Sequence, residues 1–329
     1  MRSTRALKAA AVVALAILAA GCAQSDPTTP TAGPKSDHPA ASATPSGLPA
    51  GITALGSTSP VAQQGWNLTL QPFQQAAAGT SAGDVPAGWT VLRTQARFTN
   101  TSGQIARLPD TVLTVRYGAL GRSAVAVKDS TLTGLPTREE AVKAAPQGTV
   151  TAEIGVAVPP QAAGQLVTVT AEATQDGMAQ ADDLFFEGKL PGSATTDDSS
   201  GAPGGTNAST GAVQDLGTWS QNRVRISPIT AGPAKDGRRS ASAELTVANN
   251  QAQPRAGLGI TLRVMTGTSL TEAAALTPGL DYSDAPVAPS RSATATLRFS
   301  LPATAVPGPV TVEATDRDGS RITFSGTVD

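Results

Sequence analysis

The chain has 329 residues, of which 40% are hydrophobic, 3% aromatic and 15% charged, with 24 Lys and Arg against 25 Asp and Glu. This length predicts two domains, the low charge excludes a disordered polyelectrolyte, and the charge balance lacks the basic surface of a nucleic-acid-binding protein. One cysteine, Cys22, and one histidine, His38, exclude Ser-His-Asp and Cys-His nucleophiles and the usual zinc and copper ligands from the folded regions.

Residues 1–21 have the pattern of a secretory signal peptide. Arg2, Arg5 and Lys8 precede an apolar run over 9–20, and small residues lead into Cys22. The ending Leu-Ala-Ala-Gly-Cys resembles the lipobox of bacterial lipoproteins, which implies that Cys22 is lipidated and holds the chain on the extracytoplasmic face of the cell membrane. The alternatives are a retained membrane helix, for which the run is short, and cleavage without lipidation.

Two tracts of low complexity divide the remainder. Residues 22–59 are rich in Pro, Thr, Ser and Ala, include His38 and predict a disordered tether, because such a stretch buries too little apolar area to offset its ordering entropy. Residues 192–214, with Asp197, Asp198 and several glycines, predict an interdomain linker. The domains are then 60–191 and 215–329. Loss of the three basic signal residues leaves 21 basic against 25 acidic residues, a net charge of −4.

The two domains look like copies of each other. Each matched segment alternates apolar and polar residues with period two, which is typical of half-buried strands. Six or more such strands per copy, separated by Gly, Pro, Asp and Asn, predict an all-β fold of two tandem antiparallel β-sandwiches. The matched segments are 68–73 with 224–229, 94–100 with 243–249, 113–116 with 260–263, 150–159 with 293–302, 167–171 with 310–314, and Phe186 with Phe324.

Helix is scarce in this sequence. Two capping-box patterns, Thr137 to Glu140 and Ser269 to Glu272, each fall between the third and fourth matched strands. They predict one short helical crossover in each sandwich.

A resemblance follows from these elements. A tether, a Trp-led first strand, and a strand that runs into Asn and a polar turn resemble the immunoglobulin-like domains of actinobacterial secreted proteins, for example the telokin-like immunoprotective extracellular antigen family. The acidic-aromatic patch at 181–186 fits the end of that pattern, whereas 320–324 lacks the acidic pair. The usage of Ala, Gly, Pro and Thr also resembles that of high-GC actinobacteria. The resemblance implies an extracytoplasmic binding or structural module and supplies no catalytic residue.

Three groups of polar residues are candidate sites. Asp316 to Gly319, like Thr174 to Gly177, resembles the start of a calcium loop, but Asp-Gly between alternating strands favours a hairpin turn. Asp182, Asp183 and Glu187 could form a carboxylate cluster, and a solvated strand start is favoured. Residues 128–130, Lys-Asp-Ser, lack the spacing of a Ser-Lys nucleophile.

The tryptophans are the candidate interface residues. Trp66 and Trp219 open the two copies, and we expect each to cap its sandwich core; the alternative is an exposed anchor of an interface. Trp89 has no counterpart in the second copy and is the better candidate for a role specific to the first domain.

The sequence thus predicts a lipoprotein without catalytic activity, cofactor or metal. It would act as an extracytoplasmic binding or scaffolding module, with a protein of the cell envelope as its partner and no nucleic acid. The alternatives are a binder of cell-wall glycan or of a small hydrophobic ligand, and then a hydrolase that uses carboxylates or a Ser-Lys pair.

Overall fold

Two β-sandwiches make up the described part of the chain. A computed structural model describes residues 47–61, 65–76, 85–174, 182–193, 213–221, 223–255, 257–278, 283–316 and 319–329; the side chains of 182 and 274–278 are not described. The described residues belong to one compact unit that runs from Ser42 to Asp329. Among them, no helix has the length and apolar character needed to cross a membrane. The predicted signal peptide, Cys22, His38 and most of the tether lie outside the described residues.

The described residues of sandwich 1 form thirteen strands, several of them short. One sheet has the order β1-β13-β12-β7-β8, and the other has the order β2-β3-β5-β11-β9, with β4 on β5 and a ribbon of β6 and β10. The strands are β1 Ile52–Ala54, β2 Thr58–Val61, β3 Trp66–Leu70, β4 Gln74–Gln75, β5 Thr90–Asn100, β6 Ala106–Arg107, β7 Asp110–Tyr117, β8 Arg122–Ser123, β9 Val125–Val127, β10 Lys143–Ala144, β11 Thr149–Val158, β12 Leu166–Thr174 and β13 Asp182–Lys189.

Sandwich 2 repeats this arrangement. Its sheets have the orders β14-β23-β22-β18-β19 and β15-β17-β21, with β16 on β17 and β20 on β21. The strands are β14 Val213–Asp215, β15 Val224–Ile226, β16 Thr230–Lys235, β17 Arg238–Asn249, β18 Thr261–Thr266, β19 Thr271–Glu272, β20 Ala274–Pro278, β21 Arg291–Pro302, β22 Gly308–Thr315 and β23 Arg321–Val328. The 3₁₀ turns are Arg138–Glu140, Pro160–Ala162 and Ala303–Ala305. The predicted all-β fold of two sandwiches is confirmed.

Strand register supports most of the matched segments. Phe98 faces Val150 in sandwich 1, and their matched residues Val247 and Ala293 face each other in sandwich 2. One match is wrong: Leu113 faces Ala171, and the residue that faces Ala314 is Leu262, not Ile260. A slip of two residues leaves every side chain on its original face, so alternation by itself could not detect the error.

Each sandwich has its own apolar core. The larger buried side chains of the first include Trp66, Leu68, Phe98 and Phe186, and those of the second include Ile226, Leu245, Leu301 and Phe324. In β3, Trp66 and Leu68 alternate with more exposed residues in the burial pattern BiBiB, whereas Phe186 lies between Phe185 and Glu187, which are also buried. Because burial of apolar area drives folding, each core stabilises one of the two sandwiches.

The predicted tether and linker are too long at their carboxyl ends. Strand β1 and the first two residues of β2 occupy positions predicted to belong to the tether, and β14 begins inside the predicted linker. Both segments add a parallel edge strand, since Thr53 pairs with Phe186 and Gln214 with Phe324. Composition misled the prediction because a three-residue edge strand needs few apolar residues when the sheet supplies its hydrogen bonds.

The two capping boxes have different outcomes. The backbone N–H of Thr137 donates to the Glu140 carboxylate at 2.9 Å at the start of the 3₁₀ turn, as predicted. The prediction of a helix at Ser269 is wrong. Gly267 and Leu270 adopt positive φ in a hairpin turn, and Thr271 and Glu272 pair with β18. Glu272 instead forms an ion pair with Arg263 at 3.1 Å.

Candidate functional site at the junction of the two sandwiches

A buried arginine joins the two sandwiches. Arg116 of β7 is 4% exposed, and its guanidinium donates to the carbonyl oxygens of Ala285 and Pro286 in sandwich 2 at 2.8 and 2.9 Å. Burial lowers the pKa of Arg116 to about 10, against the opposing charge of Glu172. The group therefore keeps its charge at neutral pH, and the carbonyl dipoles replace part of the water that it has lost.

A second buried charge crosses the same junction. The carboxylate of Glu187 in β13 is paired with Arg291, whose Nε donates to it at 2.5 Å. Glu187 is 5% exposed, so the prediction of a solvated strand start is wrong for this residue. Asp183 is exposed and lies four residues, roughly 13 Å, along the strand. The carboxylates of Asp183 and Glu187 are thus not brought together, and the side chain of Asp182 lies outside the described atoms.

We expect Arg291→Ala to lower the free energy of unfolding by about 3 kcal/mol, because it leaves the buried Glu187 carboxylate without its cation. Urea denaturation at pH 7 measures the change. The control is Arg321→Ala, which removes an exposed guanidinium 3.9 Å from Glu313 and should cost less than about 1 kcal/mol. Equal losses in the two variants would contradict a special role for the junction pair.

Hydrogen bonds to backbone carbonyls also join the two sandwiches directly. The Thr294 N–H donates to the Gly121 carbonyl at 3.0 Å, and the Thr294 hydroxyl donates to the Leu120 carbonyl at 2.7 Å. Through this bridge β8 runs parallel to β21, so one ten-stranded sheet extends across both sandwiches. Arg122 forms a two-point ion pair with Glu244 of β17, with one contact at 3.0 Å. Main-chain bonds and charge pairs together fix the relative position of the sandwiches.

A small apolar cluster completes the contact. Ile52, Phe185 and Ala288 are buried together, apart from the two main cores. Ile52 belongs to β1, which the sequence had assigned to the tether, and Ala288 follows the loop that receives Arg116. Edge strand β1 of sandwich 1 therefore helps to hold sandwich 2.

A cleft of about 610 Å³ opens beside this junction. Both sandwiches supply its walls, and we call it the junction cleft. Its volume falls in the usual range for ligand sites, and such sites occur preferentially between domains. The lining residues are Pro86, Trp89, Tyr117, Arg122, Ser123, Val125, Pro159, Gln161, Gln165, Thr296 and Arg298.

The three tryptophans have different surroundings. Trp66 is 1% exposed in core 1, so the alternative of an exposed anchor is wrong for it. Trp219 is half-buried, and its backbone forms an isolated antiparallel β-bridge with that of Arg225. It is not the counterpart of Trp66: Arg225 corresponds to Thr69, whose partner is Thr58. Trp89 is half-buried and lines the junction cleft, where it also packs against the cluster of Val127, Leu132 and Ala157.

A second depression, the edge groove, lies within sandwich 1. It has a volume of about 420 Å³ and a mainly apolar lining from β7, β9, β11 and the segment 134–138. Val112, which is 63% exposed, and Leu135 lie on it, with Lys128 and Arg138 among its polar residues. The groove offers apolar contact beside the first residues of β7, which pair with β12 on one side and, among the described strands, with none on the other.

The other polar candidates, so far as their residues are described, stabilise turns or form ion pairs. Asp129 caps a turn, and hydrogen bonds from the Leu132 and Thr131 N–H groups and the Thr131 hydroxyl lower the pKa of its carboxyl. The Asp316 and Gly319 N–H groups close the predicted hairpin turn, and the Asp316 carboxylate pairs with Arg255 at 3.1 Å. Asp318, Asp176 and Gly177 lie outside the described residues. Within the described ranges, no three His, Cys, Asp or Glu residues are grouped as metal ligands.

Sequence reasoning missed the residues that build the junction. Arg116 and Glu244 occupy outward positions of their strands, where a charged residue is normally solvated, and Arg122 and Arg291 are the first residues of β8 and β21. One signal was available: Gly118 and Gly121 are the first and last residues of a four-residue turn between strands, which favours close backbone approach.

Comparisons with known proteins add little beyond the fold. No family model matches the chain, and no curated protein matches it. An uncharacterised β-sandwich protein from Clostridium difficile 630 has 17% identity and a TM-score of 0.26, and the alignment covers 42% of this chain and 93% of that one. A marsupial T cell receptor has 9% identity and a TM-score of 0.22, with 78% and 98% covered. These are β-sandwich and immunoglobulin-like proteins, and the fold assignment here depends on the strand order of the chain itself.

Proposed function

We propose that this protein is a non-catalytic, lipid-anchored lipoprotein of the cell envelope that acts as an extracytoplasmic binding or scaffolding module for a protein partner. The observation that carries the proposal is the junction cleft, which both sandwiches line. A site of this kind keeps its shape only while the two sandwiches keep their relative position. The buried Arg116 and the Glu187–Arg291 pair supply that constraint.

Retention of buried charges at the junction supports a role in presenting a defined surface. Burying a charge costs free energy, and apolar residues of similar volume would often stabilise the contact at least as well. Geometrically specific hydrogen bonds, such as those of Arg116 to two adjacent carbonyls, select one docking arrangement. We infer that this arrangement serves binding.

Affinity capture tests the proposed function. The full-length chain, solubilised in mild detergent, is used to capture proteins from envelope extracts of its own source. The control bait is Gly121→Ala, in which the sandwiches are expected to separate. A partner that is recovered reproducibly by the wild type and lost with the control supports the proposal. Recovery of glycan without protein, or equal recovery by both baits, contradicts it.

Substitution of Cys22 tests the proposed lipid anchor. We expect Cys22→Ser to move most of the protein from the membrane fraction to the soluble fraction, because two acyl chains hold a protein stably at a bilayer whereas none remains in the variant. Cell fractionation and labelling with an alkyne fatty acid measure the change, and Ser36→Ala in the predicted tether is the matched control. Continued membrane retention of Cys22→Ser would contradict the anchor.

The edge groove favours a second candidate function, the binding of a small hydrophobic ligand. Its apolar lining and its volume of about 420 Å³ suit such a ligand. Titration of the full-length chain with a fluorescent apolar probe tests this function, and an absence of saturable binding counts against it.

A further inference from the structure

The junction cleft has a distinctive charge. Its lining residues, all within the described ranges, include two guanidinium groups, those of Arg122 and Arg298, and no carboxylate. Glu244 pairs with Arg122 from outside the lining, while Arg298 is exposed on β21. Because Glu244 offsets the charge of Arg122, Arg298 is the guanidinium of this lining that the structure leaves facing a ligand, in a predicted mature chain with a net charge of −4. A cationic side chain in a cleft whose lining has no carboxylate attracts ligands of the opposite charge.

The lining of the junction cleft also offers apolar contact. Trp89 faces the cleft with Pro86, Val125 and Pro159 nearby. Its ring packs on the apolar cluster of Val127, Leu132 and Ala157, which restricts its motion before any ligand binds. A partly exposed, pre-positioned tryptophan is a typical anchor of a binding interface. Gln161 and Gln165 add amide groups that can donate and accept hydrogen bonds along the same wall.

We propose that the junction cleft binds an acidic peptide segment of a protein partner, with a carboxylate on Arg298 and a neighbouring apolar side chain against Trp89. This inference rests on the proposed function and names the chemistry of its ligand. Guanidinium groups pair with carboxylates through two parallel hydrogen bonds, and clusters of arginine are a recurring means of recognising acidic motifs.

A peptide suits the cleft better than a glycan. Sugar sites are usually lined by several exposed aromatic rings, whereas here Tyr117 is 6% exposed and Trp66 lies in the core. Trp89 is therefore the one partly exposed aromatic ring among the lining residues. A single ring beside an arginine fits one apolar and one acidic side chain.

Fluorescence anisotropy with two polyanions tests the inference. The full-length chain in detergent is titrated with a labelled random copolymer of glutamate and tyrosine, and separately with labelled polygalacturonate, a carboxylated glycan. We expect saturable binding of the copolymer at low salt. Arg298→Ala and Trp89→Ala should each weaken binding about tenfold, and Arg298→Glu should weaken it further. The matched controls, Arg321→Ala and Trp219→Ala, alter residues outside the cleft and should leave affinity unchanged.

Three results would overturn the inference: copolymer binding that does not depend on Arg298, an equal loss with Arg321→Ala, or Arg298-dependent binding of polygalacturonate without binding of the copolymer. Thermal melts show whether the exposed Arg298 variants keep the fold. If Arg298→Ala still captures the envelope partner of the wild type, the proposed function stands and the acidic-peptide inference fails. If neither the wild type nor Arg298→Ala captures a partner, the proposed function fails, and the anisotropy titrations decide the acidic-peptide inference separately.

Discussion

Gly121→Ala should separate the two sandwiches. An ideal Cβ at position 121 would lie 1.7 Å from the Ser292 carbonyl oxygen and 2.5 Å from the Ser292 carbonyl carbon, and these atoms belong to the backbone of sandwich 2. The backbone segments around Gly121 and Ser292 cannot move apart without breaking the hydrogen bond from the Thr294 N–H to the Gly121 carbonyl. We expect the loss of interdomain contact and a reduction of several kcal/mol in the stability of the joined unit, about 3 kcal/mol or more. Small-angle X-ray scattering should show an increased radius of gyration.

Gly118→Ala is the matched control for this variant. Both glycines have positive φ, 73° and 64°, in the same turn, so both substitutions carry the strain of a left-handed alanine, about 1–2 kcal/mol. At position 118, however, the added Cβ meets only the Gln165 side-chain oxygen, which can move away. An unchanged radius of gyration in Gly121→Ala, or an equal increase in Gly118→Ala, would show that the contact at Ser292 does not hold the sandwiches together.

Asn100→Ala and Asn249→Ala should each destabilise one sandwich by about 3 kcal/mol, because each removes the donor for several buried carbonyls. The Asn100 side-chain amide donates to Gln104, Ala144 and Ala145, at 2.7–3.1 Å. In the second copy, the Asn249 amide donates to the carbonyls of Gln253, Val287 and Ala288, at 2.8–3.2 Å. Both asparagines are buried, at 0% and 1% exposure. Urea denaturation monitors both changes.

The two asparagine variants should differ at the junction. Asn249 binds residues 287 and 288, which adjoin the carbonyls that receive Arg116 and the apolar contact of Ala288 with Ile52. We therefore expect Asn249→Ala to increase proteolysis at the junction, whereas Asn100→Ala should affect sandwich 1 alone. The exposed neighbour Asn250→Ala is the control and should change stability by less than about 0.5 kcal/mol. A loss of similar size in Asn250→Ala would mean that burial of the amide is not the cause.

Much of the strand pattern could be predicted because a half-buried strand alternates its side chains. The segment at 94–100 shows this alternation, whereas 243–249 shows it only at its start, since 245–249 are all buried. Both segments end at a buried asparagine whose side chain bonds to the following turn. The match of 113–116 to 260–263 was wrong by two residues, since a period of two fits every even shift equally well. The true register depends on hydrogen bonds to β12 and β22, which no local pattern specifies.

Local signals failed where a neighbouring strand competed for the same backbone groups. The capping-box pattern is the same at Thr137 and Ser269, but the second lies beside β18, which pairs with Thr271 and Glu272. The short edge strand Ile52–Ala54 was hidden in the same way, because its hydrogen bonds come from β13 rather than from its own composition.

The amino-acid sequence is enough to predict a strand-rich chain with two similar copies, and it has no histidine and no further cysteine beyond the first 38 residues. How the two copies meet could not be predicted from it and is visible in the folded chain alone. Arg116 and Ala285 are 169 positions apart, and Arg291 and Glu187 are 104 apart. A charged residue on the outer face of a strand has the same sequence pattern whether water or a second domain covers it. The junction and its cleft form because the second sandwich covers such residues of the first, and this contact joins positions that are far apart in the sequence.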